Sequence, residues 1–352
     1  MKYLINGNFF CSKPDGIKRF SYEICKALDK ICEKDLIGIY VPANAENVLE
    51  FTNIKIINSS KKLNSFYKWD LFTFKSACKK HKCIPLNLNC SMHFNNKGGI
   101  VFIHDIYEKL YPKDFITFKE KIKKTYMCNM YSRATKKAEK IFTVSEYSKK
   151  QIIENYNVKP EKIFLLFNGW EHFKSVKPDA SIFKSFPLLQ KGNFYFALGN
   201  LQKRKNLKWI IEYAKKNPEE QFAISYKPSA QNDNTELNEL NELPNVILLG
   251  YVSDDSVKAL MQNCKAFVFP SYYEGFGIPP LEALSVGARV IISNAASLPE
   301  IYKKSAYYID PQNPNVSLSK LLLKPVEPAD KILKEYTYKN AAKLLYEQLS
   351  QK

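Results

Sequence analysis

Two glutamates stand eight residues apart in Glu274-Gly-Phe-Gly-Ile-Pro-Pro-Leu-Glu282, shortly after the apolar run Ala266-Phe-Val-Phe269. Pro279 and Pro280 preset φ for a first helical turn, where a missing N–H costs no hydrogen bond. Gly275 and Gly277 let the backbone approach a ligand closely and reach dihedrals that other residues avoid. A loop of this kind leaves free N–H groups at a helix N-terminus, a seat for phosphate. Glu282 alone would read as a partner for the helix dipole. Two glutamates bracketing such a loop fit a ligand with hydroxyls on both sides of a phosphate, which is the chemistry of a nucleotide sugar.

Cations recur in Gly199-Asn-Leu-Gln-Lys-Arg204-Lys205-Asn206, between a strand and a helix. Arginine forks onto a diphosphate and lysine adds a point charge, although three cations in a row also suit a solvated turn. Ser12-Lys-Pro-Asp-Gly16-Ile-Lys-Arg19-Phe is a polar loop that opens a helix through Ile17, Phe20, Ile24 and Leu28. It reads equally as a turn and a cap. His104-Asp105 ends the run Ile100-Val-Phe-Ile103, where a ligand-facing side chain is expected. A lone histidine there also fits a satisfied polar group.

These segments need a scaffold, and short apolar runs at helix-length intervals supply one. The first series is Tyr3–Ile5, Leu36–Val41, Ile54–Ile57, Ile100–Ile103, Ile141–Val144 and Ile163–Phe167. The second is Phe194–Leu198, Phe222–Ser225, Val246–Leu249, Ala266–Phe269, Val290–Ile292 and Ala306–Ile309. Apolar strands alternating with helices predict parallel sheets covered on both faces. The expected fold is α/β, with two Rossmann-like doubly wound domains facing across a cleft and ligand at the carboxyl ends of the strands. The expected domains are 1–170 and 193–328, the first assigned to the acceptor and the second to the nucleotide sugar by resemblance to a known family. Residues 171–192, with Pro178, Pro187 and Gly192, read as a linker, and 329–352 as a C-terminal helix free to pack on either domain. No G-x-G-x-x-G or Walker A sequence opens any unit, which argues against a nicotinamide, flavin or P-loop nucleotide site.

At 352 residues with 45% apolar and 25% charged side chains, the composition is that of a globular protein in water. No apolar run reaches the ~20 residues needed to span a bilayer. The N-terminus, Met1-Lys-Tyr-Leu-Ile-Asn-Gly7, is too short in apolar residues for a secretory signal. The cysteines form no CxxC pair, so zinc is not expected and reduced thiols in the cytoplasm are. The net charge of +18 divides into +14 over residues 1–175 and +4 over 176–352. Such a field attracts anionic partners. No nucleic-acid-binding signature accompanies it, so nucleic acid is not expected.

Two segments make the first half basic. Residues 61–82 interleave lysines with Phe66, Tyr67, Trp69, Phe72 and Phe74. Residues 117–140 carry Lys119, Lys121, Lys123 and Lys124 around a stripe of Phe118, Ile122, Tyr126, Met130 and Ala134. The stripe is expected to be a helix face packed on the sheet. The lysines are expected to face anionic lipid.

Taken as an ordered set, these motifs resemble the retaining glycosyltransferases of family 4, the group 1 glycosyltransferases of GT-B fold. Gly16-Ile-Lys-Arg-Phe20 is similar to that family's Gly-Ile-Gly-Arg-Tyr loop. Ile103-His-Asp105, Phe142-Thr-Val-Ser-Glu146 and Pro160 to Gly169 follow in order. Arg204-Lys-Asn206, Gly250-Tyr251-Val-Ser253, Glu274 to Glu282 and Ser297-Leu-Pro-Glu300 complete the series. The Glu-x7-Glu element is the specific one.

The resemblance implies roles. Glu274 would hold the donor sugar and Glu282 the ribose, while backbone N–H groups of Phe276, Gly277 and Ile278 would meet sugar or diphosphate oxygens. Arg204 and Lys205 would neutralise the departing diphosphate, so no metal or other cofactor is expected. Gly16 would approach the diphosphate and His104 the sugar, with Asn200, Tyr251 and Gly275 also at the donor. Lys18 departs from the family's second glycine, Asn200 stands where some relatives place arginine, and Tyr336-Thr-Tyr338 stands where tryptophan is common. The implied function is transfer of a hexose, with GDP-mannose favoured, to a saccharide or lipid-linked acceptor in polysaccharide or lipopolysaccharide assembly. The expected location is the cytoplasm, at the inner face of its membrane. A sugar-nucleotide epimerase, a phosphorylase, or a non-catalytic nucleotide-sugar or nucleic-acid binding protein remain as alternatives.

Overall fold

In the computed structural model, which describes residues 1–11, 16–90, 98–199, 202–226 and 235–351, alternating strands and helices build two parallel sheets. One unit comprises Met1–Gly169 with Thr337–Lys352, and the other Trp170–Tyr336.

The first unit contains β1 (Tyr3–Asn6), β2 (Ile37–Val41), β3 (Lys55–Asn58), β4 (Ile84–Asn87), β5 (Ile100–Phe102), β6 (Lys140–Thr143) and β7 (Ile163–Leu165). They lie in the order β3-β2-β1-β4-β5-β6-β7. The central β1 and β5 are buried throughout, as parallel strands covered on both faces must be. β4 is absent from the sequence expectation because it contains Pro85, which lacks a ladder donor. The sheet accommodates it by register. Ile84 N–H donates to Lys2 at 2.9 Å, while pairing with β5 begins only at Leu86 opposite Ile100. Gly99, at φ +95°, lets β5 start there, since a Cβ on it would lie 2.7 Å from Pro85 Cγ.

The second unit contains β8 (Phe194–Gly199), β9 (Gln221–Tyr226), β10 (Val246–Gly250), β11 (Ala266–Phe269), β12 (Val290–Ser293) and β13 (Tyr307–Ile309), in the order β10-β9-β8-β11-β12-β13. The strand order reverses between β8 and β11. Such a switch point opens a crevice at the carboxyl ends of two central strands.

The segment expected as a linker, 171–192, belongs to the second unit. His172 and Phe173 are buried, and Lys258 Nζ donates to the carbonyls of Phe173 and Val176, both at 2.8 Å. The expected single helix over 329–352 is two helices. Asp330–Glu335 stays in the second unit, where Trp170 Nε1 donates to Leu333 O at 2.9 Å. Tyr338–Ser350 starts afresh at Thr337, whose hydroxyl accepts from Asn340 N–H at 3.1 Å, and closes the first unit. It packs on helix Gly16–Asp29 and is tied to the sheet by Tyr3 Oη, which donates to Leu349 O at 2.7 Å. The stripe on helix Phe118–Lys137 is also only half as expected: Met130 and Ala134 are buried, but Phe118 and Ile122 are exposed. Among the described residues no helix is long and apolar enough to cross a membrane.

Leu345 is fully buried in the core shared by the sheet and the last helix. Leu345→Ala should therefore destabilise the first unit by about 2–5 kcal/mol. Urea unfolding measures this, and a loss under 1 kcal/mol would mean that the last helix is only loosely docked.

Candidate functional site

The reversal between β8 and β11 places two loops side by side. After β8, Lys203–Lys205 forms one turn of 3-10 helix and Asn206 turns left-handed at φ +58°. Asn206 Nδ2 donates to Pro270 O at 3.0 Å and to Pro311 O at 2.8 Å, which fixes this turn against the carboxyl ends of β11 and β13. After β11, Tyr272 N–H donates to Arg204 O at 3.0 Å, linking the second loop to the first.

Glu274 lies where the loops meet. It is only 5% exposed, and its two oxygens are held separately: Lys205 Nζ donates to Oε1 at 2.7 Å and Arg204 Nη1 to Oε2 at 3.2 Å. Burial pushes the Glu274 carboxyl up, but Lys205 and Arg204 outweigh it and hold the group below the usual carboxylate range. Lys205 Nζ also lies 4.7 Å from the centre of the Phe269 ring, and Arg204 Nε donates to Gln202 Oε1 at 2.9 Å. Formally the cluster carries one negative and two positive charges, a net positive charge at a switch point.

The glycine loop continues from this cluster. Gly277 takes φ +87° immediately before helix Ile278–Ser285, and a Cβ there would lie 2.7 Å from Leu298 Cδ2. Its carbonyl accepts from Tyr302 Oη, and Ser297 Oγ donates to Glu274 O at 2.9 Å. Pro279 and Pro280 stand in the first turn, as their fixed φ requires. Gly275 and Phe276 are buried, and the Phe276 ring meets Tyr336 edge-on at 5.4 Å.

Glu282, one turn into the helix, is paired with a residue that the sequence did not single out. His172 Nε2 is 2.7 Å from Glu282 Oε1, with side-chain exposures of 4% and 12%. His172 lies three residues past the Pro160 to Gly169 motif, inside the segment expected as a linker. The other expected residues are placed as follows. Tyr251 follows the edge strand β10 and is 68% exposed. Asn200 lies outside the described residues. Gly16 and His104 belong to the first unit. Gly16 starts its helix at φ +41°, and Phe20 of that helix meets the His104 ring edge-on at 4.9 Å. His104 Nε2 is 3.1 Å from Leu88 O, and burial lowers the pKa of His104, so the ring is neutral at neutral pH.

Residues 178–341 match the family described as glycosyl transferases group 1. The O-antigen chain mannosyltransferase RfbU of Salmonella typhimurium is 30% identical over 245 residues, 68% of this chain and 62% of that relative. The chain thus spans less than two thirds of that relative's own length. Sucrose-phosphate synthase from Thermosynechococcus elongatus is similar in structure, with a TM-score of 0.74 at 15% identity over 99% of both chains. The Anabaena protein HepE, in complex with UDP and glucose, has a TM-score of 0.67 at 15% identity over 100% of both. At that identity the likeness is one of fold, and the fold is GT-B. Residues 178–341 belong to the group 1 glycosyl transferases.

Because the pKa of Glu274 is lower in the fold than its ordinary 4.5, its charge stabilises the protein above that value. This contribution is lost as pH falls through the lower folded value. Wild-type protein should therefore lose thermal stability below about pH 4.5 more steeply than Glu274→Gln. Parallel pH profiles between pH 7 and 3 would mean that the two cations do not hold this carboxylate.

Proposed function

We propose that this chain, whose second unit is that of a group 1 glycosyl transferase, moves a hexose from a nucleoside-diphosphate sugar to a saccharide or lipid-linked acceptor. The observation that carries this reading is the buried Glu274 carboxylate held between Arg204 and Lys205 at the β8–β11 switch point. A diphosphate needs cations, and a sugar needs an acceptor for its hydroxyl protons; this cluster offers both within one side chain's reach. That the Salmonella relative is a mannosyltransferase supports mannose as the hexose, and so GDP-mannose as donor. The UDP and glucose in the Anabaena structure support the nucleotide-sugar class.

In the proposed reaction the bond between the sugar's anomeric carbon and the β-phosphate breaks, and its electron pair leaves with the phosphate. Arg204 and Lys205 stabilise that growing charge, so no metal is needed. The departing phosphate takes the proton of the acceptor hydroxyl, whose oxygen bonds the anomeric carbon on the same face, with retention. Glu274 accepts hydrogen bonds from the sugar and keeps the two cations aimed at the phosphate. N–H groups of Phe276, Gly277 and Ile278 bind donor oxygens; those of Gly277 and Ile278 stand at the start of a helix, which leaves them without a partner inside it. Glu282 accepts from ribose hydroxyls, and His172 fixes its orientation. Neutral His104 serves as a hydrogen-bonding group for the sugar. The first unit recognises the acceptor, and its positive charge supports work at the inner face of the cytoplasmic membrane.

Glu274→Gln should abolish transfer from GDP-mannose while GDP still binds, because the lost charge acts on the sugar and the cations. Glu282→Ala should weaken GDP binding itself, and His172→Ala should do so to a lesser degree, as measured by calorimetry. Wild-type turnover by Glu274→Gln would remove the central claim. The Arg204→Ala, Lys205→Ala double variant should lose at least about 100-fold in rate, since charge-assisted contacts are worth about 1.5–3 kcal/mol each. Transfer should persist in EDTA; complete inactivation, reversed by magnesium or manganese, would assign the leaving-group charge to a metal instead.

A further inference from the structure

We propose that Tyr107, Tyr111 and Phe115, joined by Asp114, form a platform in the first unit that receives the growing end of the acceptor as a neutral pyranose. This deepens the proposed transfer, on which the acceptor role rests, and names the acceptors admitted. The platform starts where β5 ends, three residues past His104. Ile103 N–H donates to Phe142 O at 2.9 Å, and Ile106 is fully buried. The Ile106 carbonyl accepts from Lys109 N–H at 2.9 Å and from Leu110 N–H at 3.2 Å, which turns the chain through Tyr107–Leu110. Glu108 reaches inward, where its Oε2 accepts from the hydroxyl of buried Tyr131 at 2.7 Å. Tyr111 N–H closes the turn by donating to Tyr107 O at 2.9 Å. With Ile106 and Glu108 held inside, Tyr107, Tyr111 and Phe115 stay half-buried, each still reached by water.

The rings are held as a set. The centre of the Tyr107 ring is 5.6 Å from that of Tyr111, tilted by 32°, and 5.5 Å from that of Phe115, tilted by 54°. Tyr107 Oη donates to Asp114 Oδ2 at 2.5 Å, while Asp105 Oδ1 accepts from Tyr107 N–H at 3.0 Å. Asp114 N–H donates to Tyr111 O at 3.2 Å, so carboxylate and rings are tied into one loop. A second strand end contributes. β6 pairs with β5, and the helix that follows it, Glu146–Tyr156, carries Tyr147 in its first turn. Burial, and then nearby Tyr111, raises the pKa of Tyr147. The motif Phe142–Glu146, which the transfer chemistry leaves without a task, thus brings a further phenol close to the platform. Carboxyl ends of neighbouring parallel strands are where such a sheet takes its ligand.

These groups suit a sugar ring. The face of an aromatic ring is electron-rich and attracts the weakly positive C–H bonds on one side of a pyranose. A carboxylate accepts more than one hydrogen bond, and Asp114 takes them from sugar hydroxyls. Burial, and then Asp114, raises the pKa of Tyr111, which keeps its hydroxyl a neutral donor. Phosphate would need cations in the platform itself. The segment's two lysines, Lys109 and Lys113, are exposed to water, whereas Asp105 and Asp114 are half-buried beside the rings. The platform therefore sorts acceptors by their end: it admits a neutral sugar residue and rejects a bare lipid phosphate. The reaction that supplies this substrate is then an earlier glycosyl transfer, which lays down the sugar that this chain extends.

The test is saturation-transfer NMR on the full chain with the methyl α-pyranosides of mannose, glucose and galactose, against geranyl phosphate. At least one pyranoside should bind saturably, with the strongest transfer to the C–H protons of one ring face. Tyr111→Leu should weaken that binding at least about 5-fold, and Tyr111→Phe should restore most of it. Asp114→Asn should also weaken it, while the ring-face pattern persists. Thermal unfolding and GDP binding like those of wild type verify that each variant is folded. Pyranoside binding is measured without donor, so failure of the transfer reading, as read by Glu274→Gln, leaves this result unmoved. Undiminished pyranoside binding by Tyr111→Leu would overturn the proposal. So would the absence of binding by all three pyranosides, whether or not geranyl phosphate binds.

Discussion

A carboxylate held out of water between two cations sets the terms for the second unit. Burying an ion is costly, and only close partners offset the cost. Glu274 has two, and each arrives from a loop after a different strand from its own. Arg204 and Lys205 reach it only because β8 and β11 are neighbours, a pairing that the reversed strand order creates. The left-handed Asn206, bonded to the carbonyls of Pro270 and Pro311, keeps the cationic turn pressed on those strand ends. Ser297 and Tyr302 hold the other side through the carbonyls of Glu274 and Gly277. Loss of any of these contacts lets a buried charge drift from its partner, which is the expensive direction of change.

Much of this was legible in the residues. Parallel strands buried on both faces read as unbroken apolar runs, so the strands of the second unit and six of the seven in the first stand out. Pro85 hid the seventh, because its tolerance depends on where β5 begins to pair, a matter of register that local sequence does not carry. The Glu274 loop announced its helix through Gly277, Pro279 and Pro280. Its cations were visible as residues, yet their meeting with Glu274 depends on strand order. His172 was hidden for a different reason: Pro178, Pro187 and Gly192 nearby suggested a linker, while the segment is held by Lys258 and by the pair with Glu282. The stripe from Phe118 to Ala134 obeys helical spacing along its whole length, and spacing alone does not say where the domain ends beneath it.

The chain crosses between its units twice, at Gly169–Trp170 and at Tyr336–Thr337. Tyr336 and Tyr338 straddle the second crossing, and each has its ring partner in its own unit, Phe276 for one and Phe20 for the other. This connectivity has a consequence for the order of events on the ribosome. The second unit is one continuous stretch and can fold as soon as it emerges. The first unit, although begun earlier, lacks the helix that covers Phe20, Ile24 and Leu28 until Tyr338–Ser350 is made. Synthesis usually favours the N-terminal domain; here the discontinuous domain waits, its apolar helix uncovered, while the inserted one finishes first. Ribosome-bound chains whose residues up to about Tyr336 have emerged would carry a complete second unit together with an unfinished first one, the species most in need of a chaperone.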